Sequence, residues 1–357
     1  MKYICKIKGK VKWDDPKDLV EMISEITKNK SKITSLELTH NSIGIECAKK
    51  LSSVISEIEN LTSVNYRDLF VSRLKEDLPI SLKYLMSSLS NKKIRFLDLS
   101  DNAFGPIAIP SFDFFLKEAT SLEHLELENN GLGPEGSEMI CNALLNNPKI
   151  KLKTIKMNRN RLEEKGALCL AKVIEKMKSL EHLEIFQNGI TSNGMKSIFL
   201  ALKENKNIKI MKINDNFAKD SIQTFIEIMP ELTKIKVIDV SDSIMGDKLG
   251  VELFKCLSKI DTIEEIYCNY NEIEEKKSQK DIFDYIKIIK NIKVVELKGN
   301  EINKNLFKDY AKSLKENNKN LEKFECFSED EDDFEEEIEE KEIDKVAHDI
   351  NNINLNE

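Results

Sequence analysis

The chain has 357 residues, 63 acidic against 55 basic side chains for a formal net charge of −8, and 40% hydrophobic residues. No apolar run approaches the roughly 18 residues that a membrane-spanning helix needs. Lysines interrupt the start, Met1-Lys2-Tyr3-Ile4-Cys5-Lys6, where a secretory leader would be apolar. Neither a membrane nor a nucleic acid is therefore expected as partner. Seven cysteines (5, 47, 141, 169, 256, 268, 326) form an odd set without a Cys-x-x-Cys pair. That pattern argues against a disulfide framework and for a reducing, cytoplasmic setting, with the cysteines as small buried hydrophobes.

In chain order, Tyr3 to Lys10 alternates like a strand, and Asp15 to Lys28 follows with helical spacing. Together they predict a cap for the open end of what comes next. An eleven-residue phrase, Leu-x-x-Leu-x-Leu-x-x-Asn-x-Leu, then recurs every 27 to 33 residues. It is cleanest at Leu122-Leu125-Leu127-Asn130-Leu132, and its Asn slot falls at 41, 69, 102, 130, 160, 188, 216, 243, 271 and 300. Fixed self-similarity of this length predicts a solenoid of leucine-rich repeats, which needs no second core however long it grows.

Each unit is expected to place a short strand on its Leu-x-Leu and a helix on its second half. Examples of the helical halves are Ala167 to Ile174, Met195 to Leu202, Ile222 to Ile228 and Leu249 to Leu257. Pro134, just after Gly133, suits a first helical position. Units of this size predict an α/β horseshoe of the ribonuclease-inhibitor-like kind, with parallel strands on the concave face and helices on the convex face. The Asn amides are expected to form a ladder that satisfies backbone groups where the chain leaves each strand. Leu321-Phe324-Cys326 looks like a closing half-unit, so the repeat domain is placed at 1–327.

The register gives the outward rows. Glu37, Asn65, Asp98, Glu126, Lys156, Glu184, Lys212, Asp239, Tyr267 and Glu296 make the concave face mildly acidic. His40, Asp68, Asp101, Asn129, Arg159, Gln187, Asp215, Asp242 and Tyr270 line the edge where strands end. Strands about 4.8 Å apart make this edge the size of a protein partner rather than a metabolite. Catalytic constellations are scarce: His124 and His182 stand two repeats apart, and no phosphate loop or nucleophile elbow occurs. No metal site and no self-contained active site are expected.

One copy is broken. Leu69 holds the Asn slot, and the step that follows is 33 residues long. Its stretch Asp68-Leu69-Phe70-Val71-Ser72-Arg73-Leu74-Lys75 predicts a loop lifted off the array that presents fixed positive charge. Pro79 is expected to start the next helix. At the far end, residues 328–357 form an acidic tail. Positions 329–357 hold fourteen acids and two lysines, too charged to bury a core, so disorder is expected.

The broken segment resembles the Ran GTPase-activating proteins, as do Leu99-Ser100-Asp101-Asn102-Ala103-Phe104-Gly105-Pro106 and Asn129-Asn130-Gly131-Leu132-Gly133-Pro134-Glu135-Gly136. The likeness runs from residue 1 to about 345. It implies that Arg73 is the family's essential loop arginine and Lys75 the basic residue two after it. Asn129 matches the asparagine set against the GTPase active site. The catalytic positions implied are Asn129 and Arg73; Asp68, Asp101, Arg159 and Gln187 follow on the same edge as partner contacts. The implied activity is acceleration of GTP hydrolysis by Ran, achieved by ordering Ran's own glutamine, with Arg73 anchoring the complex. Ran-GTP, with or without a Ran-binding protein, would be the partner. GTP and magnesium would be bound by Ran, leaving this chain no cofactor of its own. Two departures are Ser243 in an Asn slot and the lack of an animal-type SUMO-acceptor domain, so nuclear-pore attachment is not implied. The rival reading from the residues alone is a non-catalytic binding scaffold, of the inhibitor or acidic histone-binding kind.

Overall fold

Alternating leucines spaced to bury one side of every strand produce a one-dimensional stack. The structure, a computed structural model, describes residues 1–4, 12–317 and 320–327. In it, twelve strands form one parallel sheet in strict chain order, from Lys2–Ile4 through Ser35–Glu37 to Lys323–Glu325. The register is uniform: Glu37 pairs with Asn65, Asn65 with Asp98, Asp98 with Glu126, Glu126 with Lys156 and Lys156 with Glu184. The expected concave row is therefore a continuous row. In the ten strands from Ser35–Glu37 to Val294–Glu296 the central residue, such as Leu97, Leu125 or Leu183, is fully buried, while Phe324 of the last strand is half-buried.

The second halves are helices, including Gly133–Leu145, Glu163–Met177, Ser192–Leu202 and Gly246–Leu257, and they turn apolar faces onto the same core. Pro134 occupies the first turn of its helix. The helix after the broken copy starts at Asp77, two residues before Pro79. At the far end, Phe324 packs against Phe283 and Phe307 at ring separations of 5.6 and 5.1 Å, closing the last half-unit. Of the six described cysteines, all free, four are buried and Cys169 and Cys256 are half-buried. Burial pushes the Cys268 thiol up to about 12. The acidic tail lies outside the described residues.

The asparagines do what their spacing suggested. Asn130 accepts at Oδ1 from Asn102 N (2.9 Å) and donates from Nδ2 to Leu99 O (3.0 Å). Asn160 repeats this with Asn130 N and Leu127 O, and Asn188 with Asn160 N and Met157 O. All three are buried, where an unpartnered amide would cost about 1–3 kcal/mol. At Ser243 the side chain is too short to accept from the preceding repeat, but its own N–H still donates to Asn271 Oδ1 (3.1 Å). The ladder resumes there.

At the break the structure corrects the sequence expectation. The 66–78 loop does not lift off the array. Leu69 and Phe70 both donate their N–H groups to Asn102 Oδ1 (2.8 and 3.2 Å), and both side chains are buried. Ser42 Oγ holds Val71 O at 2.5 Å. Arg73 turns inward: its side chain is 8% exposed. It donates to Trp13 O (3.2 Å) and Ser42 O (2.6 Å) and pairs with Asp14. The cap that receives it differs from expectation too. Lys12–Trp13 makes a separate two-stranded sheet with Ser42–Ile43, and the helical part divides into Pro16–Leu19 and Val20–Asn29. The part of the expected first strand over residues 5–10 lies outside the described residues. Ser72, Leu74, Lys75 and Glu76 of this stretch are exposed, Leu74 at 67%. Arginine was misjudged because a guanidinium carries enough donors to bond two carbonyls and a carboxylate at once, which offsets its burial.

Arg73→Ala should therefore loosen the cap, leaving two carbonyls unpaired and costing about 1–3 kcal/mol of stability. The only tryptophan, Trp13, is fully buried beside it and reports the change. The expected result is a lower thermal midpoint with red-shifted tryptophan emission, poorly rescued by Arg73→Lys. Unchanged midpoint and emission would contradict the staple.

Candidate functional site at the strand-end edge

The nine strands from Ser35–Glu37 to Glu265–Tyr267 end by turning through one left-handed residue just before the slot that the ladder asparagine usually fills. His40, Asp68, Asp101, Asn129, Arg159, Gln187, Asp215, Asp242 and Tyr270 all have φ between 50° and 60°. Asn and Asp tolerate this region better than other non-glycine residues, and they fill five of the nine positions. The next repeat places Gly299 (φ 63°) in the same slot. The predicted edge row is thus a row of like conformations.

Its members pair with one another across repeats. His40 Nδ1 meets Asp68 Oδ2 at 3.0 Å. Asn129 Nδ2 donates to Asp101 Oδ1 at 2.8 Å, and Arg159 Nε to Gln187 Oε1 at 2.8 Å. Asn129, Arg159 and Gln187 are exposed, so this half of the edge is preordered yet open. Lys75 is exposed on the neighbouring loop, while Arg73 is withdrawn into the cap. The structure therefore brings Asp101, Asn129, Arg159 and Gln187 together and sets Arg73 apart from them.

Below Asn129 lies a depression of about 650 Å³ lined by Pro106, Gly131, Gly133, Glu135, Arg159 and Gln187. Gly131 (φ 62°) and Gly133 (φ 63°) shape its floor in a conformation that side chains resist. A larger depression of about 710 Å³ lies on the helical side around Lys255, Cys256 and Lys259. It contains none of the edge residues and no converging catalytic groups, so the edge is the better candidate. His124 binds Thr154 Oγ1 at 2.8 Å, and Thr154 separates it from His182 in the sheet. No cluster of three metal-ligating side chains occurs among the described residues.

Arg67 was missed by the sequence reading. Nε donates to Asp101 Oδ2 at 2.6 Å and Nη2 to Glu128 Oε2 at 2.7 Å, while Nη1 stands 3.7 Å from Asp98. Partial burial works to raise the Asp101 pKa, but hydrogen bonds from Arg67 and Asn129, with the charges of Arg67 and Arg159, hold it below the usual range. Burial raises the pKa of Asp98 and of Glu126.

A model of the leucine-rich repeat family matches residues 118–141 and 176–199. The yeast Rad7–Elc1 complex structure shares the fold, with a TM-score of 0.55 at 12% identity over 86% of this chain and 82% of that one. Ran GTPase-activating protein 1 of Saccharomyces cerevisiae is 28% identical over 330 residues, spanning 87% of this chain and 80% of that protein. Ran GTPase-activating protein 1 of Xenopus laevis is 34% identical over 51% of this chain, and the Drosophila melanogaster Ran GTPase-activating protein 30% identical over 56%. The chain spans about a third of those two animal proteins, at 34% and 35% of their lengths. The chain is thus similar to Ran GTPase-activating proteins of yeast, frog and fly, on a leucine-rich-repeat solenoid fold.

Proposed function

We propose that this protein activates GTP hydrolysis by Ran, completing an active site that Ran itself carries. One observation supports this reading most: an exposed asparagine amide, Asn129, is held against Asp101 at 2.8 Å above an open groove. It stands on the edge of an array whose similar proteins bear that activity in their names. A preordered amide costs no reorganisation when it meets a partner's catalytic group, which makes it effective in a transition state. Asn129 would hold Ran's glutamine against the attacking water. Asp68, Asp101, Arg159, Gln187 and Lys75 would contact Ran along the edge.

Arg73 has a different part in this reading. Its guanidinium is occupied by Trp13, Ser42 and Asp14, so it would act by holding the loop that carries Lys75 in place, and not as a finger at the phosphates. GTP and magnesium would be Ran's, and a Ran-binding protein would be a further partner. The free cysteines favour a reducing compartment, and we place the activity in the cytoplasm.

Catalytic amounts of the protein should raise phosphate release from GTP-loaded Ran by about 10³-fold or more in single-turnover assays, the range known for GTPase activators. An unchanged rate at micromolar protein would refute the activity. Asn129→Ala should lower the saturated rate more than it weakens Ran binding, because its amide acts mainly in the transition state. Arg73→Ala should lose both. A pure rate defect for Arg73→Ala, with Asn129→Ala nearly normal, would instead favour an arginine finger.

Removal of residues 328–357 should leave activity within about threefold at moderate salt, where long-range attraction by exposed charge is screened. A folded truncation inactive at every salt concentration would place an essential contact in the tail.

A further inference from the structure

Arg67 lies in the broken repeat but works on the two repeats that follow. Its guanidinium reaches Asp101, 34 positions away, and Glu128, 61 positions away, with Asp98 close by. Its own backbone is fixed as well, since Arg67 N donates to Asn65 Oδ1 at 2.9 Å. The cluster is half-sheltered: the side chains of Arg67, Asp101 and Glu128 are 31%, 34% and 16% exposed, and that of Asp98 is 2% exposed. Glu128 is held from the other side by Asn158 Nδ2 at 2.6 Å.

Asp101 divides its two oxygens. Oδ2 takes the Arg67 Nε–H and Oδ1 takes the Asn129 amide. An ionised carboxylate only accepts. It therefore selects the NH₂ end of Asn129 and turns the carbonyl end away. Among the described residues Asn129 Oδ1 accepts no hydrogen bond, and the residue is exposed. The polarity of the amide is decided by the charge beneath it. Without Arg67, Asp98, Asp101 and Glu128 would lose the one cation that bonds two of them, leaving only the more distant charges of Arg159 on Asp101 and Lys156 on Glu128. Asp101 would lose the contact that fixes its plane, and Asn129 could present either end.

We propose that Arg67 is a positioning residue for the reaction proposed above, acting through Asp101 to hold the Asn129 carbonyl oxygen toward the partner. An incoming glutamine would then meet Asn129 with its own NH₂ group, leaving the glutamine carbonyl free to accept from water. The inference rests on the reading of Asn129 given under Proposed function.

The test is a double-mutant cycle in saturating single-turnover hydrolysis with GTP-loaded Ran. Arg67→Ala should lower the saturated rate about tenfold while the half-saturating concentration moves less than about threefold, the signature of a group acting in the transition state. Arg67→Lys should recover only part, since one ammonium cannot bond both carboxylates as a planar fork does. In an Asn129→Ala background, Arg67→Ala should cost less than about twofold, because coupled groups are not additive. Should Arg67→Ala unfold, Asp101→Asn takes its place: its side chain can donate or accept and no longer selects one end of Asn129. The same loss, suppressed in the Asn129→Ala background, is expected. A wild-type rate for Arg67→Ala, or an equal loss in both backgrounds, overturns the inference. Inactive wild-type protein in the same assay refutes the activity itself, and active wild-type protein with an undiminished Arg67→Ala refutes only the clamp.

Discussion

The buried amide ladder is the constraint on which the rest depends. Strands of three residues have little pairing of their own, and a parallel array of them is stable only when every repeat is fixed to its neighbours. The ladder does this at the strand ends. Each asparagine accepts from the preceding repeat's backbone N–H and returns a donor to its strand carbonyl, as Asn130, Asn160 and Asn188 do in succession. Sliding one repeat against the next would strand these groups in the core, so the phase between repeats cannot drift.

That fixed phase produces the candidate edge. Because every asparagine sits at the same point, the residue before it is forced into the same left-handed turn, from His40 to Tyr270. Residues of different chemistry are thereby presented in one line at nearly one strand spacing. Left-handed conformations cost non-glycine residues about 1–2 kcal/mol each, a strain that the ladder beneath sustains. The broken repeat departs from this scheme in a useful way. Leu69 cannot accept from Asn41 N, which turns to Asp68 O, while Asn102 takes both the Leu69 and Phe70 N–H groups, and the longer loop is tied to the cap through Arg73. The same repeat sends Arg67 to Asp101. One interruption thus places a clamp beneath the exposed amide and carries an exposed cation, Lys75, on its loop.

The periodic features were legible in the sequence because they answer to local rules. Leucine spacing gave the strands, and the register named the concave row that the pairing of Glu37, Asn65, Asp98 and Glu126 reproduces. Gly133-Pro134 marked a helix start. The edge residues were identified, but not their left-handed backbone, although Asp, Asn and a glycine recurring in that slot carried the signal. Arg73 was singled out but its inward placement was not legible, and Arg67 was not legible at all. A sequence pattern assigns a charged loop residue to solvent, whereas their partners lie 59 and 31 positions away for Arg73, and 34 and 61 for Arg67. Only the fold brings those groups into reach.

The central claim is that the protein lends order to a glutamine that belongs to Ran, and supplies no phosphate-contacting arginine of its own. The most direct measurement is single-turnover hydrolysis by Ran in which that glutamine is replaced by leucine, at protein concentrations where complex formation is verified by direct binding. The account predicts that the complex forms and that the acceleration, expected at about 10³-fold or more with unmodified Ran, is lost. Strong acceleration of the leucine variant would contradict it, because the catalytic group would then have to come from this chain.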